Sequence, residues 1–245
     1  MENTCYLTLV LTSLSVLRKK INTSPLIKAA ICLSIVLNVA FVYKIGKDFY
    51  KTQEASQRPD DAGYLFNRQT VFQNLTIRAD DIVFIGDSHT QKFELHEFFN
   101  RSNVKNRGID GDNTAGILAR LDPIVSGHPK KIFLQIGIND IFKRHDLSKA
   151  VPNYKRIISR IRNESPATKI YIQSILPSKF AEQDTVMKYN SIIKQMSRDN
   201  GLTFINLYDE FNDGGQLNKK YDCGDAIHLN GRGYVLWTRI LSPYL

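Results

Sequence analysis

The amino-acid sequence predicts an α/β fold in which helices cover both faces of a parallel β-sheet, and three observations support this prediction. From about residue 68 onward, short apolar runs alternate with segments whose apolar residues recur at helical spacing. Several of the apolar runs end at a glycine or a polar residue, as buried strands do. Hydrophobic residues make up 42% of the chain and charged residues 23%, which is usual for a globular protein. Strands separated by helices form βαβ units, and these units give a parallel sheet.

Five segments are predicted to be the strands of this sheet. Asp81–Gly86 reads DIVFIG, a short apolar run typical of a strand that is buried on both faces. Lys131–Ile136 (KIFLQI) and Lys169–Leu176 (KIYIQSIL) have the same character. Asn103–Arg107 and Leu202–Asn206 show weaker patterns and complete the set.

The segments between these strands are predicted to be helices. Gly127 and Pro129 end the second of them. The predicted helices are Thr90–Phe99, Thr114–Val125, Asp146–Arg162, Asp184–Arg198 and Gly233–Leu241. In an open parallel sheet the ligand binds at the carboxyl ends of the strands, so functional residues are expected just after each strand.

The N-terminal part of the chain contains an apolar segment, residues 26–43, that is predicted to be a transmembrane anchor. Its 18 residues are interrupted only by Lys28 and Asn38. As a helix it would be about 27 Å long, close to the hydrocarbon thickness of a bilayer. A helix buried in a soluble fold would show polar residues at helical spacing, and this segment does not. A cleaved signal peptide fits less well, because the apolar run starts late and no small-x-small site follows it.

The sequence thus divides into residues 1–25, on the cytoplasmic side, the anchor 26–43, a polar linker 44–67 and a globular domain 68–245. Arg18, Lys19, Lys20 and Lys28 form the positive N-terminal flank, whereas Asp48 offsets Lys44, Lys47 and Lys51 on the C-terminal side. This difference slightly favours a single-pass protein with an extracytoplasmic domain, periplasmic or outer. A second apolar stretch, Cys5–Leu17, is short for a span. If it did cross the membrane, the domain would face the cytoplasm instead.

The net charge of +9 does not indicate a nucleic-acid partner. Residues 1–51 contain seven Lys or Arg and two Asp or Glu, so more than half of the excess lies outside the globular domain. No RNA- or DNA-binding motif is present. Of the three cysteines only Cys223 lies in the domain, so no disulfide can form within it. No CxxC or HExxH pattern occurs, and neither a metal nor a cofactor is predicted.

The segment Gly86–Thr90 (GDSHT) follows the first strong strand and opens a helix. This places the hydroxyl of Ser88 beside a helix N-terminus, where backbone N–H groups favour a developing oxyanion. A serine at such a position is more often a simple helix N-cap. The motif therefore indicates a nucleophile only in combination with others.

Two further segments lie at the ends of neighbouring predicted strands. The loop Asn106–Thr114 (NRGIDGDNT) contains Gly108 and Gly111, which allow tight turns and could aim a backbone N–H into a site. The segment GIND follows KIFLQI and places Asn139 where its amide could donate to an oxyanion without adding charge. Taken singly, an ordinary glycine loop and a capping residue are equally reasonable interpretations.

Near the C-terminus, Asp225 and His228 (DAIH) are three positions apart, so one turn of chain can present both side chains at one place. His228 could then accept the proton of Ser88, and Asp225 could orient the imidazole and stabilise the imidazolium. Structural roles are expected for the other histidines, which are His89, His96, His128 and His145.

The four segments together resemble the SGNH/GDSL hydrolase family, whose blocks centre on Ser, Gly, Asn and His. The matching residues here are Ser88, Gly111, Asn139 and His228. The resemblance covers about residues 80–245 and is greatest to the platelet-activating-factor-acetylhydrolase-like and bacterial acylhydrolase branch. It implies a flavodoxin-like three-layer α/β/α fold with a small parallel sheet.

The resemblance also implies roles for individual residues. Ser88 would attack the ester carbonyl, and His228 would act first as general base and then as acid, oriented by Asp225. The backbone N–H groups of Ser88 and Gly111 and the side chain of Asn139 would form the oxyanion hole.

Two residues depart from the family pattern. His89 follows Ser88 where the family name has Leu, and Asp110 precedes Gly111 where a small residue is commoner. We expect His89 to line the pocket without taking part in the core mechanism. Asp110 and Asp112 are expected to add negative charge that disfavours anionic substrates.

The sequence therefore predicts a serine esterase that removes a short acyl group, such as acetyl, from a carbohydrate or cell-envelope glycan. The domain is short, with little sequence left for an acyl-binding lid. Tyr154, Tyr171 and Phe180 could line a pocket, although core packing is the commoner role for each. Alternatives are a lipid esterase or thioesterase acting on longer chains, an acyltransferase, and a non-catalytic glycan-binding module. The oligomeric state is left open.

Overall fold

The structure, a computed structural model, describes residues 61–144 and 147–245, together with residues 25, 27, 31–35, 38–39 and 44. The chain forms two units, Met1–Pro59 and Asp60–Leu245. The described residues of the first unit are helical. Among all described residues, no helix combines the length and the apolar character needed to cross a membrane. Much of the predicted anchor 26–43, all of Cys5–Leu17 and nearly all of residues 1–25 lie outside the described residues, so these assignments stay predictions.

The second unit contains a five-stranded parallel sheet, counted over its described residues. Its strands are β1 (Ile82–Gly86), β2 (Val104–Gly108), β3 (Lys131–Gln135), β4 (Lys169–Gln173) and β5 (Thr203–Ile205). A short antiparallel hairpin, β6 (Asn212–Asp213) and β7 (Gln216–Leu217), lies beyond β5 in sequence and had no counterpart in the sequence prediction.

Helix α1 (Asp61–Gln73) precedes the sheet. The helices that connect and follow the strands have these bounds: α2 (Ser88–Gln91), α3 (Leu95–Phe99), α4 (Thr114–Ala119), α5 (Asp122–Val125), α6 (Ile138–Arg144), α7 (Leu147–Glu164), α8 (Gln183–Asp199), α9 (Tyr208–Phe211) and α10 (Gly231–Leu241). A 3-10 turn, Ser242–Tyr244, ends the chain.

The spatial order of the strands is β2-β1-β3-β4-β5, the doubly wound order of flavodoxin-like folds. The predicted α/β class with a parallel sheet is therefore confirmed. In this order β1 is paired on both sides: Gly86 lies opposite Gly108 of β2 and opposite Gln135 of β3. The carboxyl ends of three strands thus meet at the end of β1.

Side chains of alternate residues along β1 enter two separate cores, one on each face of the sheet. Val83 and Ile85 belong to the core that α4, α7 and α8 cover. Ile82 and Phe84 belong to the core that α3 and α10 cover. Since both faces of the strand are buried, its sequence is continuously apolar rather than alternating.

Aromatic rings on three adjacent strands stack across the second of these faces. Phe84, Phe133 and Tyr171 are register partners on β1, β3 and β4, and successive ring centroids are 4.6 and 4.5 Å apart. Such cross-strand pairs add to the stability that burial provides. Tyr171 therefore has the core role that its sequence suggested.

The predicted helix Thr90–Phe99 is interrupted, because another side chain binds the backbone there. The Asn106 amide donates to the carbonyls of Thr90 and Phe93, at 2.7 and 2.9 Å, as α2 ends. Phe93 is buried and its ring packs 5.0 Å from that of Trp237. The prediction of one continuous helix was wrong at this point.

The predicted helix Thr114–Val125 is also two helices, α4 and α5. Arg120, between them, lies outside helical geometry at φ −117° and ψ 17°, and its side chain is buried. Pro123 lies in the first turn of α5, where its missing N–H is tolerated.

Helix α1 begins at Asp61, inside the segment predicted to be a polar linker (44–67). Phe72 near its end is buried, and the guanidinium groups of Arg68 and Arg107 lie 4.6 and 4.9 Å from its ring centroid. These cation–π contacts and the burial of Phe72 hold the C-terminal end of helix α1 against the domain.

Candidate active site

Ser88 is the first residue of α2 and follows the end of β1 by two residues. The N-cap of this helix is Asp87, whose side chain accepts a hydrogen bond from the backbone N–H of His89 at 3.0 Å. The Ser88 hydroxyl is therefore not needed as a cap, which was the simpler interpretation of the sequence. Its Oγ instead lies 2.9 Å from Nε2 of His228.

Gly86 allows this turn to pass close to its neighbours. A Cβ at this position would lie 2.1 Å from Oγ1 of Thr90 and 2.6 Å from the carbonyl oxygen of Gln135. No side chain fits at those distances, so glycine is required for the approach of β1 to β3 just before Ser88.

His228 is joined to Asp225 as well as to Ser88. Nδ1 of His228 lies 2.6 Å from Oδ2 of Asp225. The other oxygen of Asp225 accepts the backbone N–H groups of Ile227, at 2.9 Å, and His228, at 2.7 Å. With an ionised Asp225, Nδ1 must carry a proton, and in the neutral ring the lone pair on Nε2 then faces the Ser88 hydroxyl.

The surroundings move the pKa values of both groups downward. Burial acts to raise the pKa of Asp225, but hydrogen bonds from the backbone and ring of His228 outweigh it and hold that pKa well below its usual range. Burial lowers the pKa of His228, and the nearby His89 and Lys92 lower it further, against the opposing effect of Asp225. A neutral imidazole beside an ionised carboxylate is the state that a general base requires.

Gly111 lies in the loop after β2, with φ +72°. A Cβ at this position would meet no atom within 4 Å, so the requirement for glycine is conformational and not steric. Helix α2 holds this loop in place, since the backbone N–H of Asp110 donates to the side-chain oxygen of Gln91 at 2.8 Å.

Asn139, in the first turn of α6, is tied to the same loop. One N–H of its amide donates to the carbonyl oxygen of Asp112 at 2.8 Å, which fixes the orientation of the second N–H. The next residue, Asp140, accepts hydrogen bonds from the hydroxyl and backbone N–H of Thr114 at 2.7 and 3.0 Å. The structure thus joins the segments of Gly111 and Asn139 through two independent contacts.

Arg120 is buried at the same edge of the sheet and connects three of its segments. Its guanidinium donates to Oδ2 of Asp112 at 2.7 Å, to the carbonyl of Arg107 at 2.8 Å and to the carbonyl of Gly86 at 3.2 Å. Burial raises the pKa of Asp112, while the adjacent Arg120 opposes that shift. The expectation that Asp112 adds a free negative charge was wrong, because this ion pair neutralises it; Asp110 is exposed.

Tyr154 and Phe180, which the sequence suggested as possible pocket residues, differ in their exposure to solvent. Tyr154 is fully buried in the core, whereas Phe180 is 57% exposed as a residue. Phe180 directly follows Lys179, whose backbone N–H donates to the carbonyl of Ala226 at 3.3 Å. An exposed aromatic ring therefore adjoins the loop that carries Asp225 and His228.

One group of possible metal ligands occurs among the described residues, formed by Asp222, Cys223 and Asp225, whose ligand atoms lie within 4.8 Å of one another. Both oxygens of Asp225 already accept hydrogen bonds from Ile227 and His228. Oδ1 of Asp222 accepts from Gly224 and Ala226. The carboxylates of this cluster therefore stabilise the backbone of the loop through hydrogen bonds.

No sequence pattern marked the bracing roles of Gln91, Asn106 and Arg120, whose hydrogen bonds hold the loops of the site in place. His89, which we expected to line the pocket, is buried, with its ring nitrogens at hydrogen-bond distance from Asp87 and Ile227. The arrangement as a whole places a hydroxyl, an imidazole and a carboxylate in series beside N–H donors. This geometry is suited to acyl transfer through a serine nucleophile.

Comparisons with known proteins agree with this chemistry. Residues 84–236 match the model of the GDSL-like Lipase/Acylhydrolase family. Among curated proteins, none matches the sequence. A solved structure from Streptococcus pneumoniae, described as a platelet activating factor, is 27% identical; the match covers 84% of this chain and 98% of that chain, with a TM-score of 0.69.

Two further solved structures share the fold. A GDSL-like lipase from Bacteroides thetaiotaomicron is 21% identical, over 74% of this chain and 96% of that chain, with a TM-score of 0.64. A carbohydrate esterase family 3 protein from Talaromyces cellulolyticus is 14% identical, over 67% of this chain and 95% of that chain, with a TM-score of 0.57.

The buried ion pair gives a testable expectation for stability. Replacing Arg120 by Met should destabilise the protein by about 3–5 kcal/mol, because Asp112 would be left buried without its partner. The matched control is Arg160→Met, which removes an arginine that pairs with Asp122 and Glu164 at the surface. That change should cost about 1 kcal/mol or less. Urea unfolding followed by the fluorescence of the single tryptophan, Trp237, measures both; equal effects would contradict the assignment.

Proposed function

The chain belongs to the GDSL-like Lipase/Acylhydrolase family and is a carboxylic ester hydrolase, and we propose that Ser88 is its nucleophile. The observation that supports this most strongly is the continuous series Asp225–His228–Ser88, with separations of 2.6 and 2.9 Å. Ser88 and His228 are 140 residues apart in the chain. Only the tertiary fold brings them into contact.

In the proposed reaction, Oγ of Ser88 attacks the ester carbonyl while Nε2 of His228 takes its proton. The tetrahedral intermediate carries an oxyanion that accepts hydrogen bonds from the backbone N–H groups of Ser88 and Gly111 and from the second amide N–H of Asn139. The C–O bond to the alcohol then breaks, and the imidazolium of His228 protonates the leaving oxygen. Asp225 stays ionised and stabilises the imidazolium throughout.

Water completes the cycle by the same steps. His228 takes a proton from the water molecule as its oxygen attacks the acyl-serine carbonyl. Collapse of the second tetrahedral intermediate releases the carboxylic acid, and the proton returns from His228 to Oγ of Ser88. No cofactor or metal takes part in this scheme.

For the substrate we propose short-chain esters, O-acetyl groups above all, of a carbohydrate or cell-envelope glycan. Asp225 is 45% exposed in its side chain, so a bulky polymer can reach the edge of the site. A long acyl chain requires a deep apolar pocket. The cavities of about 520 and 230 Å³ along α7 and α8 lie away from Ser88, Asn139 and His228, so neither of these two can hold an acyl chain bound to Ser88. The shared fold with a carbohydrate esterase is compatible with such a substrate.

Hydrolysis of longer acyl chains is the second candidate, and the exposed ring of Phe180 favours it. This ring adjoins the loop of His228 and could contact an acyl chain lying on the surface. Transfer of the acyl group to a sugar hydroxyl, in place of water, would use the same acyl-serine. Chain-length preference and the product formed distinguish these activities.

We also propose that residues 26–43 anchor the chain in a membrane, with the enzyme domain on the extracytoplasmic side. Apolar side chains of the described helical residues in this segment are about half exposed or more: Ile27, Ile31, Leu33, Ile35 and Val39. The amide of Asn38 donates to the carbonyl of Ser34 at 2.7 Å, which satisfies a polar group within an apolar segment.

The nucleophile assignment predicts the outcome of a direct kinetic comparison. With p-nitrophenyl acetate, Ser88→Ala should remove nearly all turnover, and Asn139→Ala should lower kcat by about 10²–10³-fold, the usual effect of losing one oxyanion donor. Rates should fall as the acyl chain of the p-nitrophenyl ester is lengthened. The control is Ser159→Ala, at an exposed position of α7.

Two results would contradict these assignments. Equal activity of Ser88→Ala and wild type would exclude Ser88 as the nucleophile toward these esters. A change of less than about threefold in Asn139→Ala would exclude its amide as an oxyanion donor.

The pH dependence follows from the state of His228. Its neutral form is the active base, and its pKa is lowered from 6.5. The neutral form therefore already predominates at pH 6.5, and kcat/KM should be lost only as the pH falls through a midpoint below 6.5. Initial rates on a neutral ester between about pH 4 and pH 8 measure this midpoint. A midpoint at or above the ordinary histidine pKa would show that the pKa of His228 is not lowered by its neighbours.

A further inference from the structure

His89, the residue after the proposed nucleophile, has an environment that its sequence position did not suggest. Its side chain is buried, with 3% of the residue exposed. Nδ1 lies 3.3 Å from Oδ1 of Asp87, and Nε2 lies 2.8 Å from the carbonyl oxygen of Ile227. The hydroxyl of Tyr234 donates to the backbone carbonyl of His89 at 3.1 Å. Every polar group of His89 is thus engaged, counting its backbone N–H, which donates to Asp87.

The partners of the two ring nitrogens are both hydrogen-bond acceptors. A backbone carbonyl can only accept, and an ionised carboxylate can only accept. A neutral imidazole donates from one nitrogen and presents a lone pair at the other. Only the imidazolium donates from both, and a buried lone pair facing an acceptor is unfavourable.

The carbonyl that His89 contacts belongs to the loop that carries Asp225 and His228. Ile227 lies between Asp225 and His228 and is 138 residues from His89 in sequence. The neighbouring carbonyl, that of Ala226, is held from another side by Lys179 at 3.3 Å and by Ser178 at 3.4 Å. The contact from His89 to the Ile227 carbonyl, at 2.8 Å, is the shortest of the three. His89 lies in the same turn as Ser88.

We propose that His89 is a positioning residue: as an imidazolium it donates to Asp87 and to the carbonyl of Ile227, and so holds the loop of Asp225 and His228 against Ser88. This inference rests on the proposed roles of Ser88 and His228. It gives the position after the nucleophile a function in this chain that leucine cannot perform, because leucine has no donor.

A cation at His89 also acts on His228, since the two ring centroids are 5.4 Å apart. A second positive charge on His228 is then disfavoured, which keeps the proposed base neutral. The other charged or titratable groups near the pair are Asp87, Lys92, Asp225 and Tyr234. Burial acts to lower the pKa of His89, but Asp87 and the carbonyl of Ile227 outweigh it and raise that pKa, while His89 and Lys92 help to lower the pKa of His228.

Histidine NMR on the full chain tests the protonation state without any substrate. In ¹⁵N-histidine-labelled wild type at neutral pH, both ring nitrogens of His89 should give the shifts of protonated nitrogens, whereas His228 should show one protonated nitrogen and one unprotonated nitrogen. The spectrum of His89→Gln assigns the signals by loss of one set. A neutral His89 ring would overturn the proposal. This holds also if the proton resides on Asp87 and the ring accepts a hydrogen bond from it.

Kinetics of two variants separate the hydrogen bond from the charge. His89→Leu removes both; kcat for p-nitrophenyl acetate should fall on the order of 10–100-fold, the effect of a small misplacement of catalytic groups. His89→Gln keeps an N–H donor for Ile227 and should retain more of kcat. In both variants the acid limb of kcat/KM should move up by roughly 0.5–1 pH unit, from the Coulomb energy of two charges at this separation in a dielectric of about 40–80.

The control is His96→Gln, which replaces an exposed histidine on α3. It should keep the wild-type dependence of kcat/KM on pH. Circular dichroism confirms that each variant is folded. An unshifted acid limb in both His89 variants would overturn the proposal, because a purely structural role does not predict a shift in pH. If wild-type turnover proved independent of Ser88, the proposed function would fail, and the NMR result would still decide the state of His89.

Discussion

The parallel alignment of β1 with β2 and β3 is the constraint on which the rest of the site depends. Because Gly86 lies opposite both Gly108 and Gln135, the three segments that leave these strands start from one edge of the sheet. They carry Ser88, Gly111 and Asn139, which are far apart in sequence. The fourth segment, with Asp225 and His228, does not leave a strand of the sheet and reaches the same edge through a braced loop before α10. Its position therefore depends on side-chain contacts rather than on strand register.

Buried charged groups also hold the other loops of the site in place. Arg120 joins the carbonyls at the ends of β1 and β2 to Asp112, and Asp112 in turn accepts from Asn139 through its own carbonyl. A buried ion pair is a poor source of stability compared with apolar packing, but it requires an accurate geometry. In this protein it fixes the loop of Gly111 relative to the turn of Ser88. The contact between His89 and Ile227 has the corresponding role for the loop of His228.

The sequence predicted the fold class and the principal strands because strands buried on both faces are continuously apolar, and helices have a different period. It was less successful where one side chain overrides local propensity. Asn106 ends α2 by binding its carbonyls, and Arg120 separates α4 from α5; neither effect has a local signal. Helix α1 lies partly in a segment predicted to be a polar linker, and its buried Phe72 contacts Arg68 of the same helix and Arg107 from the distant strand β2.

The candidate site could be named from motifs because Ser88, Gly111, Asn139 and His228 lie in short patterns of glycine and polar residues after strands. The contacts that hold these residues could not be predicted in this way. The role of His89 depends on the carbonyl of Ile227, which no sequence pattern identifies. The anchor 26–43 and its orientation stay predictions.

The most direct test of the central claim is covalent labelling of the full chain with a small fluorophosphonate, followed by peptide mass spectrometry. We expect a single adduct on Oγ of Ser88 and a labelling rate that falls at acidic pH as His228 becomes protonated. An adduct at another residue, or a rate of labelling at Ser88 that does not depend on the protonation of His228, would contradict it.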